Sequence, residues 1–200
     1  MNTPAYYDTV PPITMTDPLA ETLGSAEGGT LEYRYLDAVK LTGHSCPTVA
    51  GAWRLTRDAL ARLYPQGTPR RGEIRVDLRE ALDDGVAGVI ASVVSLVTGA
   101  ANAGGFKGFA GRHGRKDLLA FGVPMRGDIR FTRLDDGRSV EFTRQGFAVP
   151  RSSELTQLLR APVAPEATEA ARRAFAQRWS GWVEQMTDPA CPPEWVETAA

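Results

Sequence analysis

The longest apolar stretch of this sequence, Val86 to Val97, is broken only by Gly88, Ser92 and Ser95. Val86, Val89, Ile90, Val93, Val94 and Val97 recur at intervals of three and four, which is one face of an α-helix. The stretch is shorter than the roughly 20 residues that a bilayer crossing needs, so a helix here must be buried by the rest of the chain. Its many β-branched residues make a strand the competing assignment. The remainder can supply the cover, since 42% of the 200 residues are apolar, enough for the core of one domain.

The flanking patterns set what kind of cover that is. Asp17-Pro18 is a helix start and Gly24 a stop, so a short helix is expected between them. Leu31 to Tyr35 alternates as a strand does, and Leu36 to Leu41 forms a helical turn. Val49, Trp53, Leu60 and Leu63 share a helical face, which Tyr64-Pro65 and Gly67 end. Glu73 to Leu78 alternates with period two, and Asp117 to Phe121 reads as a further strand. Ile129 to Arg133 and Ser139 to Thr143 flank Asp135-Asp136-Gly137-Arg138, where Asp-Gly between alternating runs predicts a β-hairpin. From Pro165 to Met186 the apolar residues again repeat at helical spacing, and Asp188 to Trp195 reads as an irregular tail. Together these predict an α+β fold: a mixed, largely antiparallel sheet packed by helices, with a β-hairpin and a C-terminal helix. Residues 1–16, rich in Pro and Thr, read as a flexible arm, 17–150 as the α+β domain, and 151–200 as a C-terminal helical extension.

Charge excludes more than it suggests. A net charge of −1 and no run of five or six like charges give no field to attract nucleic acid or a membrane surface. Two distant cysteines do not make a disulfide framework, and they fit a reducing compartment. The first residues lack the basic and apolar regions of a secretory signal, so the expected location is cytoplasmic.

Chemistry concentrates in LTGHSCPTVAGAW, Leu41 to Trp53, which holds one of the two histidines and one of the two cysteines. Pro47 suits the first position of a helix and places Cys46 at the N-cap, facing the positive end of the helix dipole. A thiol there ionises more easily, and a thiolate serves both a soft metal and a nucleophilic mechanism. In an extended segment His44 points to the same side as Cys46, so the pair can share one ion through sulfur and imidazole nitrogen. The other reading is a turn whose cysteine is a small buried hydrophobe.

GHSCPTVAGAWR also resembles the G-H-x-C-P-G-x-x-x-G-x-R opening of the FmdE family of formylmethanofuran dehydrogenase components, through Gly43, His44, Cys46, Pro47 and Arg54. The similarity continues more loosely through Val76 to Gly85, Thr98-Gly99, Phe106-Lys107-Gly108 and the strand after Lys116, about Leu36 to Phe121 in all. The resemblance implies a metal held by His44 and Cys46 in a divergent, stand-alone member. The family's second cysteine falls on Ala81, its aspartate matches Asp84, and the paired-cysteine finger of some members is absent.

A metal centre needs further ligands or water. Asp83 and Asp84 offer oxygens at the start of the second long helix, where N-capping is the alternative role. His113, in the basic loop Thr98 to Lys116 with its six glycines, could close over the site, and Cys191 could fold back onto it. Lys107, Arg112, Arg115 and Lys116, with His113, make that loop able to cradle a small anionic ligand, while Phe106 and Phe109 could stack on a planar one or anchor the loop. The leading expectation is a metal-binding protein, holding zinc or another transition metal ion with haem not excluded, in metal or cofactor handling or as a redox-enzyme accessory. Two alternatives stand beside it: an enzyme with Cys46 as nucleophile, or a non-catalytic partner module, a homodimer paired through Phe175, Trp179 and Trp182.

Overall fold

The computed structural model of the chain describes residues 3–145, 164 and 167–199. After a short 3-10 turn, Ala5–Asp8, come strand β1 (Ile13–Thr16), helix α1 (Pro18–Thr22) and strand β2 (Thr30–Tyr33). Helices α2 (Tyr35–Thr42) and α3 (Pro47–Leu63) lead to strand β3 (Ile74–Leu78) and helix α4 (Ala87–Thr98). Strands β4 (Leu119–Ala120), β5 (Ile129–Arg133) and β6 (Ser139–Arg144), helix α5 (Glu169–Thr187) and strand β7 (Trp195–Glu197) complete the order. β1 and β2 form a separate antiparallel ribbon. The main sheet runs β4-β3-β5-β6-β7, parallel only between β3 and β4, so the predicted α+β class with a largely antiparallel sheet is what the chain adopts.

The apolar stretch is helix α4, not a strand. Ile90, Val93, Val94 and Val97 are each at most 3% exposed, and α4 packs against α3 and α2. α3 is the central helix. The predicted face is buried, and so are Ala50, Gly51, Ala52, Leu55 and Ala59 on its other sides, because α2, α4, α5 and the sheet all lie against it. Ile74, Val76, Phe131, Ile129 and Phe142 supply the sheet's contribution to the same core. The β5–β6 hairpin forms as expected, with Gly137 at φ 72° in its turn.

Two expectations need correction. The first residues are not a loose arm: Tyr6 and Tyr7 are buried, Tyr7 meets Tyr35 edge to face at 5.2 Å, and β1 pairs with β2 from Ile13↔Tyr33 to Thr16↔Thr30. Prolines there bar a helix but leave the aromatic rings free to cover the α2–α3 junction. The tail is not wholly irregular either, since Trp195–Glu197 adds an edge strand antiparallel to β6. The expected boundary between residues 150 and 151 lies outside the described residues, as do residues 165 and 166 at the expected start of the last helix. No helix among the described residues is long and apolar enough to cross a membrane.

The outer face of the sheet is charged. Asp77 on β3, 2% exposed, accepts from Arg75 Nε at 2.8 Å and Arg130 Nη2 at 3.1 Å, and Arg130 reaches on to Glu141 across the β5–β6 pair. The Arg130 pairs cross from β5 to β3 and to β6 and favour the register that the hydrophobic face also demands.

Candidate functional site

Cys46 is the N-cap of α3 in extended conformation (φ −145°, ψ 167°) with Pro47 at the first helical position, as the sequence predicts. Its side chain makes no capping hydrogen bond and lies half-buried against the core. The surroundings are aromatic hydroxyls. Tyr35 shares a 2.7 Å hydrogen bond with Ser45, burial pushes the Tyr35 hydroxyl far above its ordinary value, and burial pushes Tyr6 up to about 12. Trp179 of α5 donates to the Ser45 carbonyl at 2.8 Å, which ties α5 to the start of α3. His44 is exposed, and its Nδ1 lies 2.9 Å from the Thr42 carbonyl oxygen. A carbonyl only accepts, so Nδ1 is the donor, and in the neutral ring with this tautomer the lone pair is on Nε2. Among the described residues no hydrogen bond joins Cys46 to an imidazole.

The weaker candidates do not gather round this pair. Among the described residues no three His, Cys, Asp or Glu side chains come together as metal ligands would. Asp83 and Asp84 are exposed in the turn before α4, whose N-cap is Val86, so they cap nothing through their side chains. His113 lies at the base of a tight turn, Phe109 to Arg112, closed by reciprocal 2.8 and 2.9 Å backbone bonds around Ala110 and Gly111, both at positive φ. Lys107 and Arg112 are exposed on the same loop, and so are Phe106 and Phe109, which do not anchor it. Arg115 cannot serve a loop ligand: it is buried, and its Nη2 donates to Asp17 Oδ1 at 2.6 Å. Lys116 pairs with Asp117. Cys191, in the turn after α5, points toward Asp188 at 3.9 Å instead of toward Cys46.

A well-walled concavity lies elsewhere, between α3, α5 and the segment from Cys191 to Trp195. It is a cavity of about 530 Å³. Leu55, Trp182, Met186, Pro192, Pro193 and Trp195 make its apolar walls. Arg54 of α3 holds the wall in place. Its guanidinium donates to the carbonyls of Asp188 (3.0 Å), Pro189 (3.3 Å) and Cys191 (2.7 Å), the orphan acceptors at the end of α5 and beyond. Arg54, one of the family-like motif residues, thus has a structural task here.

Glu194 is the buried acid of this cavity. Its side chain is 4% exposed, and its Oε1 pairs with Arg144 Nε of β6. Its Oε2 has no hydrogen-bond partner among the described residues. Burial raises the Glu194 pKa, opposed by the charge and hydrogen bond of Arg144. The carboxylate lies over Gly51 of α3, where a Cβ would sit 2.1 Å from Oε2. Gly181 of α5 also lines the cavity, and an added Cβ there would meet nothing within 4 Å. The two glycines therefore do different things: Gly51 admits the carboxylate, and Gly181 leaves open space.

Sequence reasoning missed Glu194, Arg144 and both glycines. The available signal was the glycines themselves, since a glycine inside a helical stripe costs about 1 kcal/mol against alanine and asks for a packing or functional reason. No family model, no curated protein and no solved structure matches this chain.

Proposed function

We propose that the chain is a binding protein for a small, largely apolar molecule, held in the cavity between α3 and α5. The observation that carries this reading is the pairing of an apolar-walled space of about 530 Å³ with one buried carboxylate oxygen that lacks a partner among the described residues. Binding pockets share that design, with mostly apolar walls and a few placed polar groups. An unmade hydrogen bond on a buried polar atom costs about 1–3 kcal/mol, which a ligand donor would recover. The test is to fill the space. Gly181→Leu starts a side chain where a Cβ meets nothing within 4 Å and improves helix propensity. It is expected to hold or raise Tm while abolishing the binding of an apolar aromatic probe, 2-naphthylmethanol, measured by calorimetry. Undiminished probe binding in this variant refutes the reading.

A second reading keeps the metal ion of the FmdE resemblance at His44 and Cys46. What favours it is the Nδ1–H bond to the Thr42 carbonyl, because metal-binding imidazoles characteristically donate their other ring N–H to such an acceptor. Water or an outside ligand would complete the coordination. Addition of Co(II) to wild type should give a thiolate charge-transfer band that Cys46→Ser and His44→Ala both remove; a spectrum identical in all three ends this reading.

A further inference from the structure

Among the described residues three acids are buried: Asp17, Asp77 and Glu194. Two of them are satisfied in the same way, by two guanidinium groups. Asp17 takes Arg71 on Oδ2 at 3.0 Å and Arg115 on Oδ1 at 2.6 Å. Asp77 takes Arg75 on Oδ1 and Arg130 on Oδ2. Glu194 takes a single arginine, Arg144, on Oε1, and its Oε2, set against Gly51 where that residue lines the cavity, is left without a donor among the described residues. Arg54, which also lines the cavity, does not fill the gap, since both its Nη atoms are engaged by carbonyls and its Nε, which makes no hydrogen bond, has Asp58 Oδ2 at 3.9 Å as its charge partner.

From this we infer that the cavity selects an organic cation with a flat apolar body, whose protonated amine or guanidine donates to Glu194 Oε2. This rests on the cavity reading of the preceding section and names its ligand class. A donor with a positive charge completes the carboxylate as the second arginine completes Asp17 and Asp77. The apolar walls offer flat area to a ring, and Trp195 already faces one cation, with the Arg144 guanidinium carbon 5.8 Å from its ring centroid. An anionic ligand meets the like charge of a buried carboxylate.

The test uses three probes with one ring system and one polar group each: 2-naphthylmethylamine, 2-naphthylmethanol and 2-naphthoate. Each is titrated calorimetrically into the full chain at neutral pH. The amine is expected to bind about tenfold or more tighter than the alcohol, the scale of a charge-assisted hydrogen bond, and naphthoate weakest. In Glu194→Gln the ratio of amine to alcohol affinity should collapse to about threefold or less. Equal binding of amine and alcohol to wild type overturns the inference and leaves the cavity reading standing, and so does a preference that survives in Glu194→Gln. Binding of none of the three removes the cavity reading itself. The wild-type ranking decides the matter even if the variant does not fold.

Discussion

Asp17 and Glu194 are both carboxylates hidden from water, one at the junction of the N-terminal ribbon with the glycine-rich loop, the other where the C-terminal segment meets α3. Asp17 caps α1, accepting from Leu19 N at 2.9 Å and Ala20 N at 3.3 Å, and takes an arginine on each oxygen. Gly72, at φ 78°, lies so close to Arg115 that no side chain fits there. Both Asp17 oxygens are taken, and what stays unmet there is on the donors, Arg71 Nε and Arg115 Nε, which have no hydrogen-bond partner among the described residues. Glu194 has the same burial, one arginine where Asp17 has two, no backbone donor, and an open cavity beside it. The difference teaches that burial of an acid does not mark a site; burial with an unmet acceptor next to empty space does.

The contrast should break first at Asp17. Asp17→Ala strands two arginines in a buried place and is expected to cost about 3–5 kcal/mol, read from urea or guanidinium unfolding. Glu194→Gln should cost no more than about 1 kcal/mol, because the amide oxygen can still accept from Arg144 and a neutral amide is cheaper to bury than a carboxylate. Comparable losses in the two variants would show that Glu194 is a clamp like Asp17.

Gly51→Ala comes next. The new methyl meets Glu194 Oε2 and must push the carboxylate aside, for about 1–3 kcal/mol of overpacking despite the better helix propensity. A more stable Gly51→Ala protein would mean that the carboxylate is not held over α3.

The smallest effect is in pH dependence, and the two acids give it opposite signs. Burial pushes the Asp17 carboxyl upward, but the Arg71 hydrogen bond and the Arg115 charge overcome this and hold it below its ordinary value of 3.8. Its stabilisation is therefore full above that value and is lost as pH falls through the depressed folded pKa. The Glu194 pKa is raised above 4.5, burial outweighing Arg144. Its contribution is present below 4.5 and is lost as pH rises through the raised folded value. Tm scanned from about pH 3 to pH 8 should show Asp17→Asn flattening only the acid limb and Glu194→Gln removing a decline on the other side. A Glu194→Gln profile parallel to wild type throughout contradicts the assignment.

Much of the scaffold was legible. The spacing of Val86 to Val97 predicts α4, Pro47 and the Val49–Leu63 stripe predict α3, and Asp135 to Arg138 predicts the hairpin between β5 and β6. Asp17-Pro18 announces its own cap. The site was not legible in the same way. His44 and Cys46 drew attention because their chemistry is rare in the chain, yet the fold leaves one exposed and sets the other against the core. Arg115 looked like a free cation of the loop and is the partner of an aspartate far upstream. Glu194 sits in a stretch with no periodicity, and its neighbours Gly51 and Arg144 are far away along the chain.

By itself, then, the amino-acid order determined the helices, most of the strands and the largely antiparallel α+β class, because these follow from intervals of two, three and four residues and from local backbone chemistry. Only the tertiary structure decided which arginine meets which acid, that the first and last segments pack as a ribbon and an edge strand, and that a cavity opens between α3 and α5. Those outcomes depend on which surfaces meet across long separations. No local pattern encodes that meeting, since a charged or aromatic residue carries the same signal in the sequence whether its partner is a distant side chain, water or a ligand.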